Sequence, residues 1–135
     1  MAEDDPSRPD AFFAATLRRF EVFASSPGAT VVHHLALGDR VVRVVLSAGA
    51  MERAIMPAPA HLETAATPRP ALEILAWDSD GTGAPPVAPG WSADAFRREG
   101  YIAGFNDRRF HTAYQSDPII MRMIDGERRQ ALYWT

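Results

Sequence analysis

The sequence predicts one α+β domain spanning residues 1–135, with one or two helices packed on one face of a largely antiparallel sheet. Three observations predict this class: an apolar stripe at helical spacing near the amino terminus, two β-rich runs around Gly38-Asp39, and a series of short apolar runs after residue 100. Because 47% of the residues are apolar and 23% are charged, the composition is that of an ordinary globular chain with a single core.

The first segment, residues 1–28, is an acidic leader followed by an amphipathic helix. Residues 10–24 repeat apolar side chains every three or four positions, which is the spacing of one helix face. The stripe contains Phe13, Leu17, Phe20 and Ala24. Ser25-Ser26-Pro27-Gly28 is expected to end the helix.

A β-hairpin is predicted next, with strands at 29–37 and 40–46. Gly38-Asp39 fits a two-residue turn in which Gly takes a positive φ. A short helix carrying Met51 and Ile55 should follow and end near the prolines at 57 and 59.

A third strand is expected at 72–77, followed by a Pro- and Gly-rich loop at 78–90 inside the domain. Ser92 or Asp94 would cap a helical turn at 93–98. Residues 100–135 contain four short apolar runs separated by turn formers, which predicts an antiparallel β-meander. The four predicted strands are 101–105, 110–115, 119–124 and 130–134.

The string Asp78-Ser79-Asp80-Gly81-Thr82 follows the third strand and resembles the nucleophile motif of haloacid-dehalogenase-type phosphatases. That resemblance implies a small Mg²⁺-dependent enzyme in which Asp78 attacks phosphorus and Asp80 acts as acid/base. All fourteen basic residues are Arg, so the Lys that normally faces the phosphate is missing, and no closely spaced acidic pair follows. We therefore expect no catalysis by this chain and keep the phosphatase as an alternative.

A second resemblance covers most of the chain after about Val31. It is carried by Trp77-Asp78-Ser79, the loop that closes on Trp91, Gly104-Phe105-Asn106-Asp107-Arg108, and the final run from Asp125 to Trp134. Together these resemble the amino-terminal, non-catalytic region of bacterial HPr-kinase-like proteins.

That resemblance implies an accessory domain that positions a peptide or protein substrate, or packs on a kinase domain encoded downstream. The sequence reaches Thr135 without any Gly-x-x-x-x-Gly-Lys-Ser/Thr phosphate loop, so we expect the kinase domain to lie beyond it and no cofactor to bind here. A stand-alone protein- or peptide-binding adaptor is the alternative.

The candidate interaction surface consists of Trp91, Arg108, Arg109 and Tyr114. Arg binds carboxylate and phosphate groups through two parallel hydrogen bonds, and Trp91 follows Pro89-Gly90 in a loop, where an aromatic ring can anchor a partner. Nucleic acid is not expected as a partner, because the Arg pairs have acidic neighbours and the net charge is −3.

The four histidines do not predict a metal site. His33 and His34 are adjacent on a strand and point to opposite faces, while His61 near Glu63 lacks further ligands. His111 is expected to be a cross-strand partner, with a dyad with Asp107 or Asp117 as the alternative.

The chain has no Cys, so disulfides and thiolate chemistry are excluded. The acidic start and the lack of any apolar run near ~20 residues predict a cytoplasmic protein without a membrane partner.

Overall fold

The structure is a computed structural model that describes residues 5–84, 91–95, 100–116 and 118–135. Its helices are α1 (Pro9–Ala24), α2 (Ala50–Ile55) and α3 (Ser79–Thr82). Its strands are β1 (Thr30–Leu37), β2 (Arg40–Ser47), β3 (Leu72–Trp77), β4 (Phe110–Ser116), β5 (Ile119–Asp125) and β6 (Gln130–Trp134). Single 3₁₀ turns occur at Ala60–Leu62 and Ala93–Ala95.

The six strands form one sheet in the order β1-β2-β3-β6-β5-β4. Three neighbouring pairs are antiparallel, namely β1 with β2, β4 with β5 and β5 with β6, whereas β2 with β3 and β3 with β6 are parallel. The α+β class is confirmed, and the sheet is mixed because a crossover returns the chain from β2 to β3 in the same direction.

The carboxyl-terminal strands β4, β5 and β6 form the predicted meander-like arrangement. Of the four strands predicted in this region, the first, 101–105, was wrong. Tyr101 makes only an isolated bridge to Ala113. Gly104 has a φ of 84°, and the Phe105 N–H donates to the Ile102 carbonyl, so the backbone turns there. The apolar residues Ile102 and Phe105 fill the core as parts of a turn, not of a strand.

One face of the sheet is covered by α1. The predicted stripe is confirmed in Phe13, Leu17 and Phe20, and Phe12 is also fully buried. These side chains pack on alternate residues of the central strands, including Val45, Leu75, Leu132, Trp77 and Trp134. The rings of Trp77 and Trp134 stack with their centroids 5.3 Å apart.

Among the described residues, α2 and the segment after it cover part of the opposite face. Met51 and Met56 pack there against Leu46 and Ala76. Since successive strand residues point to opposite sides, this second core uses the positions between those that contact α1. The two predicted helices therefore lie on opposite faces of the sheet.

The predicted hairpin turn is confirmed, and the predicted loop after β3 is corrected. Gly38 has a φ of 64°, as the hairpin turn requires. The predicted loop 78–90 begins instead with α3, which Asp78 caps, while residues 85–90 of that loop and 96–98 of the predicted helical turn lie outside the described residues. Within the described ranges, no helix has the length and apolar character needed to cross a bilayer.

Candidate functional site

An open apolar groove lies on the sheet face that carries α2. It encloses about 340 Å³, and of its fourteen lining residues Arg122 is the one with a charged side chain. The walls include Ile55 at the end of α2 and Met56 directly after it, together with Ile74 from β3, Ile124 from β5 and Tyr133 from β6. An apolar concavity bordered by a single cation is suited to an apolar group attached to an anionic one.

The groove stays open because α2 is short. The helix has six residues and contacts β2, so it does not extend over β6 and β5. Ile124 is consequently 39% exposed and Tyr133 is half-buried on a face whose other half is core. Clustered apolar side chains that remain in contact with water are typical of a surface that receives another molecule.

Arg122 lies where the groove meets a second, more polar opening of about 410 Å³. Arg122 and Ile124 line both openings, so the two form one continuous path across β5. Tyr101 and His111 line the polar end, and Tyr101 is 46% exposed. Among the described residues, no carboxylate forms an ion pair with Arg122, which is exposed.

His33 ties the helical wall of the groove to β1. Its Nε2 lies 2.8 Å from Glu52 Oε2 on α2, and its Nδ1 lies 3.0 Å from Glu63 Oε1. The hydrogen bond with Glu52 raises the pKa of His33, and the Glu63 carboxylate adds to the rise against the opposing effect of burial. Glu63 was predicted to lie near His61, but its partner is His33, which no local pattern reveals because the two residues lie 30 positions apart.

The carboxylate of Asp78 is engaged by the chain itself. Its Oδ1 accepts a 2.8 Å hydrogen bond from the buried Ser47 hydroxyl, and its Oδ2 accepts one of 2.8 Å from the Gly81 N–H. Asp78 therefore caps α3 and joins it to β2, while Asp80 is exposed. In the part of the chain that the structure describes, no three His, Asp or Glu side chains are grouped as metal ligands.

The two aromatic residues of the predicted interaction surface contact each other. Trp91 lies 5.4 Å from Tyr114 and 4.9 Å from Phe105, measured between ring centroids, and 5.3 Å from Phe12. Both residues are half-buried and extend the core below α1. They lie on the α1 side of the sheet, away from the groove.

The two arginines of that surface differ. Arg109 forms a bidentate ion pair with Asp125, whereas Arg108 is exposed. The Asp107 carboxylate accepts the N–H groups of Phe110 and Arg109, and these bonds lower the pKa of Asp107. Neighbours in the fold thus hold both Arg109 and Trp91, and of the four predicted residues Trp91 and Tyr114 are shown in contact. The predicted alternative for His111 was a dyad with Asp107 or Asp117. His111 lines the polar opening, and Asp117 lies outside the described residues.

Comparison of the chain with models of known protein families, with curated protein sequences and with solved structures returned no match. The structure therefore defines only the fold class. It is an α+β domain with one sheet face covered by α1 and one partly open, apolar face.

Proposed function

We propose that this chain is a non-catalytic binding domain whose groove receives an apolar segment of a protein that also carries an acidic side chain. The apolar groove with Arg122 at its rim carries this proposal. Burying apolar surface supplies roughly 25 cal/mol per Å² of driving force, and the cation selects for a nearby carboxylate.

The resemblance to the amino-terminal region of HPr-kinase-like proteins supports two sources for that segment. One is a kinase domain of the same protein, and the other is a peptide or protein substrate that the domain positions for that kinase. A stand-alone adaptor would use the same groove for a separate partner. We also propose a cytoplasmic location, because a kinase domain and its protein substrate would meet this domain there.

Selection from a library of random peptides tests the proposal without a known partner. Enriched peptides are expected to combine clustered apolar residues with Asp or Glu, and labelled peptides should bind in fluorescence-anisotropy titrations. Ile124→Glu places a like charge beside the ligand carboxylate and makes the groove polar, so it should weaken binding by about 2 kcal/mol or more. Arg122→Gln should weaken it by roughly 1–2 kcal/mol and reduce its salt dependence.

Val22→Glu is the matched control, because Val22 is 72% exposed on α1, on the far side of the sheet. Its affinity for the selected peptides should equal that of the wild type. Peptides that bind equally well to all three variants, or a library that yields no enrichment, would refute the groove as the binding site.

The DNA that follows the codon for Thr135 separates the two forms of the proposal. An open reading frame that continues into a phosphate-loop motif favours the accessory domain, and the groove should then be tested against the purified kinase domain. A stop codon favours the adaptor.

A further inference from the structure

Three arginines converge at the edge where the parallel strands begin. Arg40 is the first residue of β2, Arg129 directly precedes β6, and Arg69 lies just before β3. Since β2, β3 and β6 run in the same direction and are neighbours, their starting ends meet at one edge. With adjacent strands ~4.8 Å apart, side chains from β2 and β6 reach toward the same space above β3.

These arginines line a polar cleft of about 440 Å³ together with Thr67 and Asp39. Three guanidinium groups face a single carboxylate, so the lining carries a net charge of +2. Within the described ranges, none of the three guanidinium groups forms an ion pair with any carboxylate. Like charges held together without counterions favour the binding of an anion.

Glu73, on the neighbouring strand β3, is engaged by other residues and does not line the cleft. Glu73 forms an ion pair with Arg43 and accepts a 3.0 Å hydrogen bond from the Gln130 amide. Arg128 is directed toward Asp125, with 3.5 Å between Nε and Oδ2, and thus serves a different cluster.

The backbone at Arg129 is held in an uncommon conformation. Its φ is 53°, in the left-handed region, and its carbonyl accepts a 3.0 Å hydrogen bond from the Glu73 N–H. A residue with a Cβ is strained there by about 1–2 kcal/mol, and strained residues of this kind cluster at ligand-binding sites. In this conformation Arg128 lies against Asp125, whereas Arg129 lines the cleft.

We infer that the cleft formed by Arg40, Arg69 and Arg129 binds a phosphate group, either free or attached to a small molecule or a side chain. A guanidinium group donates two parallel hydrogen bonds to phosphate oxygens, and the Thr67 hydroxyl is a further donor in the lining. The site lies on the starting edge of the strands and is separate from the apolar groove on the sheet face, so either site can exist without the other.

The test is an NMR titration of the full chain with inorganic pyrophosphate at low ionic strength, with sodium chloride at matched ionic strength as the reference. Saturable shifts are expected at the backbone amides of residues 39–41, at those of Thr67, Arg69, Ala71 and Arg129, and at the side-chain Nε–H signals of the three arginines. A phosphoserine tripeptide and its unphosphorylated form identify the source: tighter binding of the phosphopeptide indicates a protein side chain, and tighter binding of pyrophosphate indicates a free diphosphate.

Arg129→Gln and Arg69→Gln should each weaken pyrophosphate binding about tenfold, because each removes one bidentate, charge-assisted contact. Asp39→Asn should strengthen it severalfold, since it removes the one carboxylate of the lining. Arg18→Gln changes the net charge equally at an exposed position on α1 and should leave the affinity unchanged.

All four substituted positions are exposed, so the variants should fold, which their amide spectra will show. Shifts spread evenly over the arginines of the chain, shifts reproduced by chloride, or equal weakening by Arg18→Gln and Arg129→Gln would each overturn the site.

Discussion

Arg109 and Asp125 join the start of β4 to the end of β5 through two hydrogen bonds, from Nε to Oδ1 at 2.9 Å and from Nη2 to Oδ2 at 2.8 Å. The Asp125 side chain is fully buried, and Oδ1 also accepts the N–H groups of Glu127 and Arg128. Burial alone would raise the pKa of Asp125, but the Arg109 hydrogen bonds and the two N–H donors lower it instead.

Replacing Arg109 with Leu should destabilise the domain by about 2–3 kcal/mol, because the buried Asp125 carboxylate would lose two charge-assisted hydrogen bonds and keep only the longer, 3.5 Å contact with Arg128. Urea denaturation followed by tryptophan fluorescence measures this loss. Arg108→Leu is the matched control and should change the free energy of unfolding by less than about 0.5 kcal/mol. Equal effects of the two substitutions would contradict the structural role of the pair.

The effect of Arg109→Leu should shrink in acid. The pKa of Asp125 is lowered in the folded state, so its contribution to stability is present above its unfolded value, about 3.9, and is lost as the pH falls through the folded value. Denaturation curves of wild type and Arg109→Leu should therefore converge below about pH 4. A constant difference between the two proteins down to the lowest pH would exclude this linkage.

The His33 contacts should make stability depend on pH in the opposite direction. A raised folded-state pKa means that the contribution is fully present below the unfolded value, about 6.5, and is lost as the pH rises through the folded value. Because Glu63 is about half exposed, we expect a loss on the order of 0.5–1 kcal/mol. His33→Gln should remove this pH dependence, while His34→Gln should retain it. If both variants keep the wild-type profile, another group titrates.

Asp78→Ala should destabilise the domain by about 1–2 kcal/mol, because it removes the cap of α3 and leaves the buried Ser47 hydroxyl without its acceptor. Asp80→Ala, at the neighbouring exposed position, should be nearly neutral. Assays with p-nitrophenyl phosphate and Mg²⁺ are expected to show no turnover by the wild type. Turnover that disappears in Asp78→Asn would instead establish the phosphatase alternative.

Gly100→Ala and Gly28→Ala should separate backbone strain from a steric clash. Both glycines have nearly the same positive φ, 78° and 75°. A Cβ on Gly28 would meet no atom within 4 Å, whereas one on Gly100 would lie 2.6 Å from the Tyr114 carbonyl oxygen. We expect Gly28→Ala to cost about 1 kcal/mol and Gly100→Ala a further 1–3 kcal/mol in thermal denaturation. Equal losses would show that the chain near Tyr114 yields to the added methyl group.

Local patterns predicted the individual elements well. The apolar stripe of α1, the hairpin around Gly38 and the strands at 72–77 and 130–134 each follow from a periodicity or a turn former within a few residues. The segment 101–105 failed because Ile102 and Phe105 are apolar for burial in a turn, and an apolar run does not distinguish such a turn from a short strand.

The groove and the ion pairs were not predictable in the same way. The groove depends on β6 lying between β3 and β5, and a strand order of this kind is not encoded in any local pattern. The contacts of His33 with Glu63 and of Arg109 with Asp125 join residues 30 and 16 positions apart. The interaction surface predicted from Trp91 and Arg109 relied on residue type, which does not reveal that neighbours in the fold already engage both side chains.

The position of β6 also governs how the domain assembles. Among the described strands β6 comes last in sequence, yet it pairs with β3 on one side and β5 on the other, so β3 and β5 are joined through residues 130–134. Before residues 130–134 have been synthesised, the facing edges of β3 and β5 have no strand to pair with. For this chain, the exposure of those edges during synthesis ends only when the final strand is inserted between them.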